Sequence, residues 1–223
     1  MAEFLTAENI LFMLKGAGYS LLLALGAVFF GCLIGIVCAA AKLSRSKILR
    51  ILSNIYVEVI RGTPMLLQIL FFFLGIPVIF QSITGMRMNT NPYVIGLIAL
   101  SLNSGAYQTE LIRSGIQGVD KGQWEACETL GIDYAVAMKQ IILPQAFKMI
   151  IPPLVSEFIT LIKDSSLISN IGALELLYAS QVLGKRYYDY LHPLMMAGLM
   201  YLIMTVFVSF LSKKLERRLS VND

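Results

Sequence analysis

QAFKMIIPPLVSEFITLI, residues 145–162, is the stretch on which the fold turns. It is largely apolar, yet it carries Lys148 and Glu157, and on hydropathy it is the weakest of five candidate membrane segments. The other four lack Asp, Glu, Lys and Arg and run over residues 16–41, 62–86, 88–109 and 190–212. A helix needs about 20 predominantly apolar residues to cross a hydrocarbon core roughly 30 Å thick. The second and third stretches meet at Arg87 inside the polar segment QSITGMRMNTN (81–91), which reads as a short loop.

Basic residues decide whether 145–162 crosses. Cytoplasmic loops close to membrane segments carry an excess of Lys and Arg. Lys42, Arg45, Lys47 and Arg50 follow the first stretch; Arg113, Lys121, Lys139 and Lys148 follow the third; Lys213, Lys214, Arg217 and Arg218 follow the last. These regions hold 12 of the 18 basic residues, and five spans with the N-terminus outside place all of them on the inner side. Arg61 lies near a helix entry, and Lys15, Arg87, Lys163, Lys185 and Arg186 fall outside. Four spans do not give this pattern, so 145–162 is expected to cross. The expectation is an all-α membrane protein with spans at about 16–42, 55–81, 91–113, 145–163 and 190–212, a cytoplasmic loop at 114–144 and a cytoplasmic C-terminus.

Composition agrees. The 223 residues are 57% hydrophobic and 14% charged, against about 25% charged in soluble domains, and the mean hydropathy is +0.73. The net charge of +4 sits at span ends, which points to a lipid bilayer and to no nucleic acid. Cys32, Cys38 and Cys127 match no metal or disulfide spacing and read as packing residues. The single His192 lacks partners for a metal site and reads as a helix-end residue. Glu3 and Glu8 precede Lys15 ahead of the first stretch, which argues against a cleaved signal.

The polar interval 114–144 is too long for a simple connector. Gln123 to Leu130 is helix material with Gly131 as its stop, and a second helical stretch runs from Tyr134 to Pro144. An interfacial helix resting on lipid is one reading. Glu125, Glu128 and Asp133 favour the other, a docking helix for a soluble partner, because an anionic inner leaflet repels them.

Within this interval EACETLG, nine residues and IILP resemble the EAA loop of ATP-binding-cassette importer permeases, with Glu125, Ala126, Gly131, Ile141, Leu143 and Pro144 matching and Cys127 in place of the second Ala. YVEVIRGTP (56–64), SGAYQTELIRSGIQGVDKGQWEA (104–126), LPQAF (143–147) and KDSSLIS (163–169) look like the polar amino acid permeases of the histidine/glutamine/arginine type. The resemblance covers roughly residues 15–215. It implies the type I importer permease fold in a bacterial cytoplasmic membrane. It also implies a permease dimer, of two identical copies or with a paralogue, on two ATPase subunits, with an extracytoplasmic amino-acid-binding protein delivering substrate. The helix after Gly122 would then be the coupling helix, with Gly122, Trp124, Glu125, Ala126, Cys127 and Gly131 as the ATPase-contacting set. No G-x-x-x-x-G-K-[ST] loop occurs in the chain, so ATP is expected on another polypeptide and no cofactor here.

Ionisable residues inside spans are costly and mark functional candidates. Glu157, Thr160 and Asp164 share one helical face, as do Asn103, Tyr107 and Glu110. Arg61, Gly62 and Thr63 precede Pro64, which interrupts the second span; broken helices are tolerated where they line a cavity. Carboxylates at 157 and 164 suit an ammonium or a cationic side chain, and Asn103, Ser165 and Ser166 suit the other end of an amino acid. Two acids facing one cavity favour arginine, lysine or histidine, with a neutral or acidic polar amino acid such as glutamine as the alternative. The structural alternatives are a helix cap for Asp164 with Ser165, and ion pairs of Glu157 with Arg61 or Lys148 and of Glu110 with Arg113 or Lys121. Gly16, Gly18, Gly26, Gly31 and Gly35 are read as close-packing positions, and Tyr187, Tyr188 and Tyr190 as an outer interfacial belt. An ion-gradient carrier would show internal repeats that five spans and one special loop do not provide. A membrane enzyme would want a constellation that a lone His192 does not offer.

Overall fold

The fold is seen in a computed structural model that describes residues 6–220; Glu3 and the side chain of Arg218 lie outside the described residues. It is helical throughout, with no strand among the described residues. Helix α1 (Ala7–Leu43) starts on Thr6, whose hydroxyl accepts from the Asn9 N–H. Helix α2 (Lys47–Arg61) starts on Ser46 in the same way. After a break at Gly62–Pro64, α3 (Met65–Leu70), a π-helical turn (Phe71–Gly75) and α4 (Ile76–Thr84) form one continuous rod. Helix α5 (Pro92–Gln117) has Asn91 as its cap and Pro92 at its first position. Helices α6 (Lys121–Thr129) and α7 (Tyr134–Ala137) are capped by Asp120 and Asp133. A second π-helical turn (Met138–Ile142) leads into α8 (Leu143–Asp164), a 3₁₀ segment (Ser165–Ile171), α9 (Leu176–Tyr187) and α10 (Leu191–Ser220).

Four helical segments are long and apolar enough to cross a membrane: Ala7–Leu43, Met65–Thr84, Tyr134–Ile171 and Leu191–Lys214. The doubtful stretch 145–162 is inside the third. Helix α5, expected to be an obvious span, is the one whose composition falls short. It is long enough, since 26 residues at about 1.5 Å each make roughly 39 Å. Its polarity has a packing cause: Ser101, Asn103, Ser104, Gln108 and Thr109 are all buried against other helices, chiefly α1 and α8.

Two expected boundaries are corrected. The second span does not begin near 55, because residues 47–61 form the separate helix α2, whose apolar Ile48, Ile51, Leu52, Ile55 and Val59 are exposed while Ser53 and Val57 face inward. The interval expected at 114–144 starts later, because α5 continues to Gln117; the helices read within it are present, as α6 and as the stretch from Tyr134, which runs on through Pro144 into the third span. Pro144 is tolerated because the π-helical turn before it already widens the ladder, with the Leu143 N–H donating to the Met138 carbonyl five residues back.

Small residues set the approach of α1 to α5. A Cβ on Gly35 would lie 2.9 Å from the Cβ of Gln108 and 3.2 Å from its backbone carbonyl carbon, whereas one on Gly18 would meet nothing within 4 Å. The packing role expected of Gly18 is therefore corrected. Gly35→Leu is expected to lower the melting midpoint of the detergent-solubilised protein by a cost of about 1–3 kcal/mol or more, and Gly18→Leu to leave it unchanged. Equal midpoints for the two variants would sink this account of the α1–α5 contact.

Candidate functional site

The break between α2 and α3 is held by one amide. Gln68, buried within α3, donates through Nε2 to the carbonyls of Ile60 (2.7 Å) and Thr63 (3.1 Å) and to Thr63 Oγ1 (2.9 Å). Its Oε1 accepts from Asn103 Nδ2 of α5 at 3.1 Å. Backbone carbonyls released at Gly62–Pro64 thus find a donor inside the bundle, the condition for irregular backbone at membrane depth. Gln68 was not among the sequence candidates; a lone amide in an apolar run just after Pro64 is the signal that points to it.

The Glu157 carboxylate of α8 lies near Ser104 of α5, the residue after Asn103, and feels the charge of Asp164. Neither acid is in a salt bridge among the described residues; Lys163 is the charge that acts on Asp164. The Arg61 guanidinium lies 5.0 Å from the centre of the Tyr107 ring, a cation–π contact on the exposed side of the break. The structure therefore gathers Thr63, Gln68 and Asn103 at the break, with Arg61 and Tyr107 at its edge, and sets Glu157 by Ser104, whose hydroxyl accepts from Gln108 on the side of α5 that faces Gly31 of α1.

Other candidates are engaged elsewhere. Thr160 is exposed, and its hydroxyl donates to the Ser156 carbonyl at 3.1 Å. Ser165 is fully buried and donates to the Ile162 carbonyl at 2.7 Å, so it is turned into the bundle. Ser166 is half-buried and offers its carbonyl to Ser169. The possible cap by Asp164 is not formed. Glu110 leaves the substrate face: it pairs with Lys42 of α1 and with Arg113 at 2.7 Å.

A second carboxylate escaped the sequence reading. Glu175 is 0% exposed and caps α9. Its oxygens accept from the N–H groups of Leu177 (2.8 Å) and Tyr178 (2.5 Å), from the Tyr201 hydroxyl (2.7 Å) and, at 3.5 Å, from Ser20. It thereby ties α9 to α1 and α10. At the other end of α9, Asp189 accepts from the N–H of Leu191 (3.0 Å) and its carboxylate pairs with the ring of His192, which holds its pKa below the ordinary value. His192 is thus a helix-end residue in use as one.

The segment 118–137 is built as a projecting lobe. Helix α6 ends in a Schellman turn: the Gly131 N–H donates to Glu128 and the Ile132 N–H to Cys127, with Gly131 at φ +66°. Trp124 stacks on Tyr134, with ring centres 6.0 Å apart, and packs on the cluster of Val119, Ile142, Ala146 and Ile150. Cys127 is buried. Trp124 and Cys127 therefore hold the lobe on the bundle, while Gly122, Glu125, Ala126 and Gly131 are exposed with Leu130, which is 75% exposed.

Comparison with known proteins places these features. Residues 31–221 match the family described as "Binding-protein-dependent transport system inner membrane component". The chain is 39% identical over 214 residues, 96% of its length and 95% of the relative's, to the "Putative glutamine transport system permease protein GlnP" of Rickettsia conorii. It is 37% identical over 218 residues, 98% of its length and 97% of the relative's, to the "Arginine transport system permease protein ArtQ" of Bacillus subtilis. A solved amino acid ABC transporter, crystallised with histidines, contains a chain similar to it at 37% identity and TM-score 0.88, with 95% of each chain covered.

Proposed function

The chain belongs to the family of binding-protein-dependent transport system inner membrane components, and from that premise we propose that it is an amino-acid ABC importer permease that passes polar, cationic amino acids between its broken second span and Glu157. The observation that carries the cationic reading is the pair Glu157 and Asp164, two carboxylates at membrane depth, the first sensing the charge of the second, that enter no salt bridge among the described residues. An ammonium or guanidinium supplies the missing charge by charge-assisted hydrogen bonds. Arg61, exposed at the break, stands ready for the carboxylate end.

Helix α5 is the fifth span in this reading, with the N-terminus outside and the basic ends of α1, α5 and α10 inside. The lobe at 118–137 seats on a separate ATPase through its exposed Glu125, Ala126, Leu130 and Gly131. A second permease copy faces the open side of Arg61 and Tyr107, a pair of ATPases drives the cycle, and an extracytoplasmic binding protein delivers the amino acid. Transport follows alternating access, ATP-driven closure of the ATPases moving the lobe and with it α8, to which the lobe is continuous from Tyr134 onward.

Glutamine is the second reading, favoured by the Gln68–Asn103 amide pair, which matches a carboxamide, and by the glutamine permease name of one relative. Both are tested by reconstituting the chain with its ATPase and measuring binding of labelled arginine, lysine, histidine and glutamine to wild type and Glu157→Gln. The expected result is saturable binding of a cationic amino acid, weakened roughly tenfold or more by loss of one charge-assisted contact worth about 1.5–3 kcal/mol. Glutamine binding that survives the substitution assigns Glu157 a structural role and overturns the cationic reading.

A further inference from the structure

A cavity of ≈ 1070 Å³ lies away from the broken span, between the lower halves of α1, α5 and α8. It reaches the upper end of small-molecule sites, roughly 300–1,000 Å³. Its walls are apolar, with Ile36, Leu43, Ile112, Phe147 and Leu154 among them, and its polar residues sit at the ends. Gln108 closes the deep end. Ser44 and Arg45, in the turn between α1 and α2, form the mouth.

We propose that this groove holds one acyl chain of an anionic phospholipid, its headgroup on Arg45 and Ser44. Depth is the first argument. Gly35 packs on Gln108, and the nine residues from there to Ser44 span about 14 Å of helix. That is close to the roughly 15 Å of one leaflet's hydrocarbon. A groove one leaflet deep, apolar along its walls, charged at its mouth and closed at its far end by the Gln108 amide, whose Oε1 is buried without a partner, has room for an acyl chain along its length and a headgroup at the mouth.

Charge is the second argument. Of the cations at this end of α1, Lys42 is committed to Glu110. Arg45 is exposed at the mouth and enters no salt bridge among the described residues. The Ser44 hydroxyl is buried beside it without a hydrogen-bond partner. A guanidinium and a free hydroxyl are what a phosphate ester engages. A second copy of the chain is disfavoured, because the same region of that copy would bring Lys42, Arg45, Lys47 and Arg50 against this mouth.

The test uses the permease–ATPase complex in nanodiscs containing a phospholipid with a photoactivatable group on one acyl chain, carrying either a phosphatidylglycerol or a phosphatidylcholine headgroup. Cross-links are expected to concentrate on the cavity-facing peptides of α1, α5 and α8. The glycerol headgroup should be favoured about fivefold, the worth of one basic residue at an anionic surface. Arg45→Gln, at an exposed position, should abolish the headgroup preference while leaving labelling in place. Ala40→Phe, also exposed and lining the groove, should displace the labelling itself. Even labelling of every lipid-facing helix overturns the proposal, as does labelling indifferent to Ala40→Phe. Oxidative cross-linking of Cys32 between two copies would assign the groove to a second chain and overturn it as well.

Discussion

Glu175→Ala is expected to remove most of the folded protein recovered in detergent, and Glu175→Gln to restore only part of it. The carboxylate is sealed from solvent and accepts from two backbone N–H groups at the start of α9 and from the hydroxyls of Tyr201 and Ser20. Alanine removes every acceptor and leaves those donors buried. Each unmade buried partner costs about 1–3 kcal/mol, and a lost helix cap about 0.5–2 kcal/mol. A folded chain has only about 5–15 kcal/mol in hand. Glutamine keeps one acceptor oxygen, but its amide hydrogens turn toward N–H groups that already donate. Fluorescence-detected size exclusion after a heating series reads the effect. A midpoint for the alanine variant within a degree or two of wild type would show that α9 is held by its apolar contacts with Met13, Ala17 and Ala197 instead.

Glu175 also shows where the sequence stopped being informative. What could be read was set by positional regularities along the chain: charge-free runs for the spans, and Gly131 for the end of the lobe's first helix. These signals lie within a few residues of the feature they define. The acids at 157 and 164 were visible because charge in an apolar run is costly wherever it points. Glu175 fell in an interval read as an outer connection, and its burial depends on Ser20 and Tyr201, 155 residues before it and 26 after it. Gln68 was passed over likewise, because its value lies in Asn103, 35 residues away.

The same limit applies to the polar residues of the helices. Helix α5 looks ordinary in sequence, and its polar residues become sensible only once α1 and α8 surround it. Thr160, Ser165 and Ser166 have the right composition for a binding face. Their hydroxyls and carbonyls are consumed by the carbonyl three or four residues back, or by the hydroxyl three residues ahead. The lobe divides for a comparable reason: sequence spacing alone does not tell that Trp124 and Cys127 serve the bundle while Glu125 faces out.

That division makes the lobe testable. In the complex with its ATPase, Glu125→Arg is expected to reduce substrate-stimulated ATP hydrolysis and transport by about a hundredfold while leaving the melting midpoint of the isolated permease unchanged. Glu125 is exposed and enters no salt bridge among the described residues, so folding does not depend on it. Reversing a charge that becomes buried in a protein contact costs about 2–5 kcal/mol, and about 1.4 kcal/mol is a factor of ten. Trp124→Ala should behave in the opposite order. It removes the stack on Tyr134 and a wall of the cluster around Ile142, so its midpoint should fall by a large-to-small cost of about 3–5 kcal/mol. Gly131→Val should lose both properties, because a β-branched residue at φ +66° breaks the turn that aims α6 outward. The informative quantity is the ratio of coupling loss to stability loss across the three variants. If Glu125→Arg hydrolyses ATP and transports like wild type, α6 is not the docking surface. Energy would then have to enter through another exposed feature, of which the α1–α2 turn at Ser44–Ser46 is the next in reach of α5 and α8.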